Sequence, residues 1–152
     1  MVVIFGDRTN IFLHHSNLLA MNDADEKKLK ETKKLCRQFL ELSPKIRYVG
    51  LMNEFGRTIS GQLRKDIIPL FSPGEARDEN FLEATRIQLR KKFEMAIGKM
   101  RFTITENEKV KIVTIPITRG FFYITLERDA GNQEVLSIIE SIMTHEDPFL
   151  IS

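Results

Sequence analysis

Between Met100 and Leu126 the chain alternates apolar and polar residues with only two short polar interruptions. Met100, Phe102 and Ile104 alternate with Arg101, Thr103 and Thr105, the period of two expected of a half-buried strand. Glu106-Asn107-Glu108 reverses the chain. Lys109–Pro116 follows, with Val110 and Ile112 on one face and Val113 and Ile115 on the other. Apolar residues on both faces predict a central strand covered on two sides. Pro116 cannot donate to a ladder, so it belongs near the strand's end. Thr118-Arg119-Gly120 makes the next turn into Phe121–Glu127, again apolar on both faces. Three sequential strands with tight turns predict an antiparallel meander.

The rest of the chain is read around that meander. Asn22-Asp23-Ala24-Asp25-Glu26 supplies capping and early acids for a helix running to about Leu42. Leu29, Leu35, Cys36, Phe39, Leu40 and Leu42 form its apolar side. Lys27, Lys28, Lys30, Lys33 and Lys34 form a basic one, which Glu26, Glu31 and Glu41 interrupt, so it reads as a solvated face and not a membrane-binding one. Ser43-Pro44 ends the helix. Ile46–Asn53 and Thr58–Leu63, joined by Asn53-Glu54-Phe55-Gly56-Arg57, predict a hairpin. Gly50 and Gly61 inside it mark a bulge or a close backbone approach.

Leu63–Glu75, punctuated by Pro69, Pro73 and Gly74, reads as a short amphipathic turn and a loop, with a flap over a pocket as the alternative. A second long helix is predicted from Ala76 or Asp78 to Ala96, stopped by Gly98. Leu82, Thr85, Leu89, Phe93 and Ala96, flanked by Phe81 and Ile97, recur at helical spacing and are expected to face the core. Ile87 and Met95 lie off that stripe and hint at a second covered surface, while Arg86, Arg90, Lys91 and Lys92 form a basic cluster. A last helix is expected over Gln133–Thr144, followed by His145 and a short tail from Asp147.

The first twenty residues are apolar at Met1–Phe5, Ile11–Leu13 and Leu18–Leu19. The first positive charge, Arg8, comes after the apolar start, which is the wrong order for a secretory leader. They read as an extension, with translation starting at Met21 as one alternative. The expected organisation is therefore an extension over 1–22, one domain over 23–146 and a tail over 147–152.

The chemistry of the sequence is sparse. A hydrophobic share of 42% and a charged share of 29% fit an ordinary folded domain. A net charge of +2 argues against nucleic acid as a partner. The single Cys36 excludes an internal disulfide and fits the cytoplasm. No apolar run approaches the ~20 residues of a membrane span. His14 and His15 are adjacent and diverge, no ligand spacing recurs, and G-x-S-x-G, P-loop and dinucleotide signatures are missing. Phe121-Phe122-Tyr123 near Arg119 and Arg128 could stack bases, but consecutive strand residues face opposite ways and core packing accounts for them better. The expectation is no catalytic residue, no cofactor and no metal.

The order helix, hairpin, long helix, meander, helix resembles the roadblock family of dynein light-chain-like domains, which share a profilin-like fold with longin domains. The resemblance covers about Asp25–Met143 and is carried by Ile46-Arg-Tyr-Val-Gly-Leu-Met-Asn-Glu-Phe-Gly-Arg-Thr-Ile59, Gly98-Lys-Met-Arg-Phe-Thr-Ile104 and the Val110–Leu126 strand pair. It implies an α+β fold with a five-stranded antiparallel sheet, hairpin plus three-stranded meander, with helices packed on it. It also implies a small non-enzymatic module that forms a homodimer through the long helix and the neighbouring strand, serving a small GTPase or signalling complex. Carried onto this chain, that face comprises Arg86, Ile87, Arg90, Lys91 and Met95 with Arg101, Thr103 and Thr105. The long connector and the N-terminal extension depart from the simplest members. The competing reading is a PAS-like small-molecule sensor, which also has a five-stranded antiparallel sheet.

Overall fold

A computed structural model describes residues 23–145; the extension and the tail considered above lie outside the described residues. Helix α1 spans Asp23–Leu40, and the hairpin is β1 (Ile46–Asn53) and β2 (Thr58–Leu63). Helix α2 spans Pro73–Arg90, continues through a 3-10 turn at Lys91–Phe93, and ends in the single turn α3 (Glu94–Ile97). The meander is β3 (Thr103–Glu106), β4 (Val110–Ile117) and β5 (Gly120–Glu127), and α4 spans Asn132–Met143. All five strands form one antiparallel sheet in the order β2-β1-β5-β4-β3. The expected fold class is the one observed.

Two elements begin three or more residues away from the sequence reading. Helix α2 begins at Pro73, because Ser72 accepts from the Glu75 backbone N–H while the Glu75 side chain accepts from the Ser72 N–H. Proline at the first helical position loses nothing there, since its N–H would have had no partner. Strand β3 begins at Thr103, not Met100. In its register with β4, Thr103 stands opposite Thr114, so Arg101 would stand opposite Pro116, which has no N–H to offer.

The two sheet faces carry different cores. On one, Leu35, Cys36, Phe39 and Leu40 of α1 and Val135, Ile138, Ile139 and Ile142 of α4 close over β1, β4 and β5. The phenyl rings of Phe39 and Phe122 meet edge to face at 5.2 Å there. Helix α1 is held at its C-terminal end by Arg64, which donates to the carbonyls of Leu40, Ser43 and Ile46. Those are acceptors of the helix end, the loop after it and the first residue of β1, and a cation there also suits the negative end of the helix. The other face is covered by α2 over Met52, Val110, Ile112, Phe121 and Tyr123. Gly50 and Gly61 stand opposite each other on that face, and the ring of Tyr48 lies across both, where a Cβ on either would collide with it. The expected close approach is thus made by a side chain, and the bulge falls next door, between Leu51 and Met52.

A candidate interaction surface on the long helix

The stripe expected to face the core, Leu82, Thr85, Leu89 and Phe93, does not. The residues of α2 buried against the sheet are Asn80, Glu83, Ala84 and Ile87. Leu82 and Leu89 are 60% and 61% exposed and Phe81 is 65% exposed. Ile87, read from sequence as off the core stripe, is instead in the core between α2 and the sheet. Helical periodicity identifies faces but not which one looks inward, and here the sheet decides. Beneath α2 it presents two hydroxyls beside the apolar Met52, Val110, Ile112 and Phe121. Tyr123 donates to a Glu79 carboxylate oxygen at 2.9 Å, and Thr114 donates to Glu83 Oε2 at 3.0 Å. A buried carboxylate is tolerable only when such donors meet it. Burial, then the neighbouring Glu79 and Glu83, raises the Tyr123 hydroxyl far above the usual tyrosine range, so it remains a donor.

The outer side of α2 carries Phe81, Leu82 and Leu89 among exposed polar and charged residues, and the apolar row extends past the helix end through Phe93, the fully exposed Met95, and Ile97. Arg86 and Arg90 border it. Arg86 comes within 3.8 Å of Glu83 Oε1, and the Arg90 guanidinium lies 5.7 Å from the Phe93 ring centroid. Lys91 is exposed in the 3-10 turn and Arg101 is exposed just ahead of β3. Thr103 and Thr105 are half-buried on β3, the edge strand, and Thr103 Oγ1 is buried with no partner among the described residues. Seven of the eight residues expected at the interaction face therefore lie on the outer side of α2, on its continuation, on the β3 edge or, for Arg101, just ahead of it, and Ile87 does not. Sequence reasoning missed Phe81, Leu82 and Leu89 as surface residues. No local signal was available, because Asn80 and Glu83 on the opposite helical face read from sequence as solvent-facing.

A partly open cleft of about 400 Å³ lies between the end of α2 and the β4–β5 turn, with Ile87, Met100 and Phe121 in its lining and Arg90, Lys91, Lys99, Glu54 and Glu94 around it. Its charges are mixed. Among the described residues no three His, Cys, Asp or Glu side chains are grouped to hold a metal ion. No helix among them is long and apolar enough to cross a membrane. Burial pushes the Cys36 thiol up to about 11, which disfavours the nucleophilic thiolate.

A family model described as a family of unknown function (DUF6659) matches residues 24–151. No curated protein matches the sequence. Among solved structures, the gliding protein MglB of Thermus thermophilus is similar with a TM-score of 0.61 at 11% identity, over 80% of this chain and 87% of that one. A Roadblock/LC7 domain from Streptomyces avermitilis gives 0.53 at 14% identity, over 72% of this chain and 92% of that one. Profilin II of Acanthamoeba castellanii gives 0.51 at 6% identity, over 73% and 92%. The fold is that of roadblock and profilin-like domains.

Proposed function

This chain belongs to the family of unknown function DUF6659, and we propose that it is a non-enzymatic regulatory module of the cytoplasm that works as a homodimer. One observation carries the reading: α2 turns Asn80 and Glu83, with Ala84 and Ile87, toward its own sheet, and Phe81, Leu82 and Leu89 away from it. A lone domain gains by the reverse arrangement, because apolar area removed from water contributes about 25 cal/mol per Å². The outward row is therefore the unfinished half of a core, completed by a second polypeptide. Beside it, the β3 edge offers backbone N–H and C=O groups for sheet extension. Arg86, Arg90, Lys91 and Met95 border the contact on the helix side, and Arg101, Thr103 and Thr105 on the strand side. The similarity in fold to a bacterial gliding protein and to Roadblock/LC7 domains supports a role in a small-GTPase or signalling assembly.

Light scattering of the intact protein across a micromolar dilution series tests the reading. A mass of twice 17.7 kDa is expected. A monomer persisting to high micromolar concentration overturns it.

A further inference from the structure

The outer stripe of α2 has a symmetry of its own. Leu82, Arg86, Leu89 and Phe93 follow one another at four, three and four residues, which keeps them on one strip of the helix surface. Leu82 and Leu89 are equidistant from the point between Thr85 and Arg86. The exposed charges are not symmetric. Glu75 and Asp78, with Arg77 between them, lie near the start of α2, while Arg90, Lys91 and Lys92 lie at and just past its end. A second copy laid antiparallel sets the acids of one helix toward the bases of the other and each Leu82 against the other copy's Leu89. A parallel copy sets like against like.

The antiparallel arrangement has one difficulty. It brings Arg86 beside Arg86 of the second copy at the centre of the contact, where two unbalanced guanidiniums repel in a medium drier than bulk water. Directly beneath Arg86 is Glu83. Its side chain is only 8% exposed, one carboxylate oxygen is 3.8 Å from Arg86 Nη1, and the other is fixed to the sheet by the Thr114 hydroxyl at 3.0 Å. On packing grounds alone an alanine or leucine would serve at this inward position. An anchored carboxylate there supplies the missing counter-charge from below, without occupying the apolar contact.

We infer that Glu83 is the charge-balancing, positioning residue of an antiparallel α2-to-α2 contact between two copies of this chain. The inference rests on the homodimer reading above, and the test separates the two. Sedimentation velocity of the full chain at several concentrations gives Kd for wild type, Glu83→Gln, Arg86→Gln and the double variant. Glu83→Gln weakens self-association at least tenfold, with circular dichroism unchanged, and added salt partly restores it by screening the two arginines. Glu83→Gln/Arg86→Gln returns to within about threefold of wild type, because the charge needing balance is gone. Should Glu83→Gln fail to fold, Arg86→Glu decides the matter. It leaves the Glu83–Thr114 bond in place, puts four carboxylates at the centre, and abolishes association. Wild-type Kd in Glu83→Gln, strictly additive effects in the double variant, or undiminished association of Arg86→Glu overturns the inference while the homodimer stands. A monomeric wild type removes the homodimer reading itself.

Discussion

Replacing Leu89 by Asp separates the stability of the domain from the stability of its assembly. Leu89 is 61% exposed in the isolated domain. Of the ~1.5–3 kcal/mol that full burial of a leucine contributes, roughly 1–2 kcal/mol therefore remains to be gained at an interface. A twofold assembly contains the position twice, so the substitution removes about 2–4 kcal/mol of association free energy, or about 30- to 700-fold in Kd. Setting a carboxylate in that contact adds to the loss. The domain itself loses much less. The leucine's already buried part is worth about 1 kcal/mol, and aspartate is a weaker helix former by about half a kcal/mol. A fall in Tm of about 5 °C follows for a domain of this size. Sedimentation velocity over a hundredfold concentration range, with a thermal melt on the same samples, measures both numbers. Lys33→Asp on the exposed outer side of α1 serves as the control: it leaves Kd unchanged and lowers Tm by only about 2 °C, the helix-propensity cost alone. If Leu89→Asp keeps the wild-type Kd, or if it unfolds the domain as a core leucine would, the account of α2 is wrong.

Arg64→Ala removes the donors that α1 and the following loop receive at the Leu40, Ser43 and Ile46 carbonyls. Water recovers part of that, so a loss of about 3 kcal/mol and a Tm lower by about 10 °C are expected from chemical and thermal denaturation. Cys36, buried and pushed up from 9.0 to about 11, resists a thiol reagent at pH 8 in the folded protein and reacts at once in denaturant. Because its folded value is raised, the fold favours the protonated thiol. Its contribution to stability is complete below pH 9 and is lost as pH rises toward about 11. Tyr48 and Tyr123, also raised chiefly by burial, add to the alkaline loss from above the ordinary tyrosine range. Denaturant melts should therefore show stability level from pH 8 to 9 and falling from there to pH 11. Gly120→Ala places a Cβ against the Met52 carbonyl at a backbone φ of +152°, and should destabilise by more than ~3 kcal/mol. A melt within a degree or two of wild type would contradict that geometry.

The hairpin and the meander were readable because their turns are short and polar and their apolar residues either alternate or, in β4 and β5, fill both faces; the pairing of β1 with β5 that joins them was not read from the residues. Helix α2 was readable as a helix but not in its orientation. Leu82, Thr85, Leu89 and Phe93 form a good apolar stripe, and nothing local says that the sheet would instead receive Asn80, Glu83, Ala84 and Ile87. What decides is the pair of hydroxyls on Thr114 and Tyr123, more than thirty residues away in sequence and brought under α2 only by the meander. The Arg64 cap was hidden for the same reason, since its three acceptors lie up to 24 residues upstream. The start of α2 could have been found, because Ser72-Pro73-Gly74-Glu75 contains the spacing of a reciprocal cap that the proline and glycine disguise as a loop. The candidate surface was legible in outline: most of its charged rim was named from sequence, and its apolar centre was assigned to the wrong side of the helix.

Strands β2 and β3 are the two rims of the sheet, and the chain between them is the connector and α2. That segment has to travel the full width of the platform, leaving one margin and arriving at the other. It is thus moored at both ends to strands that never touch each other. Whatever settles on its outward side grips a crossbar, and any tilt of that bar is felt at both margins at once.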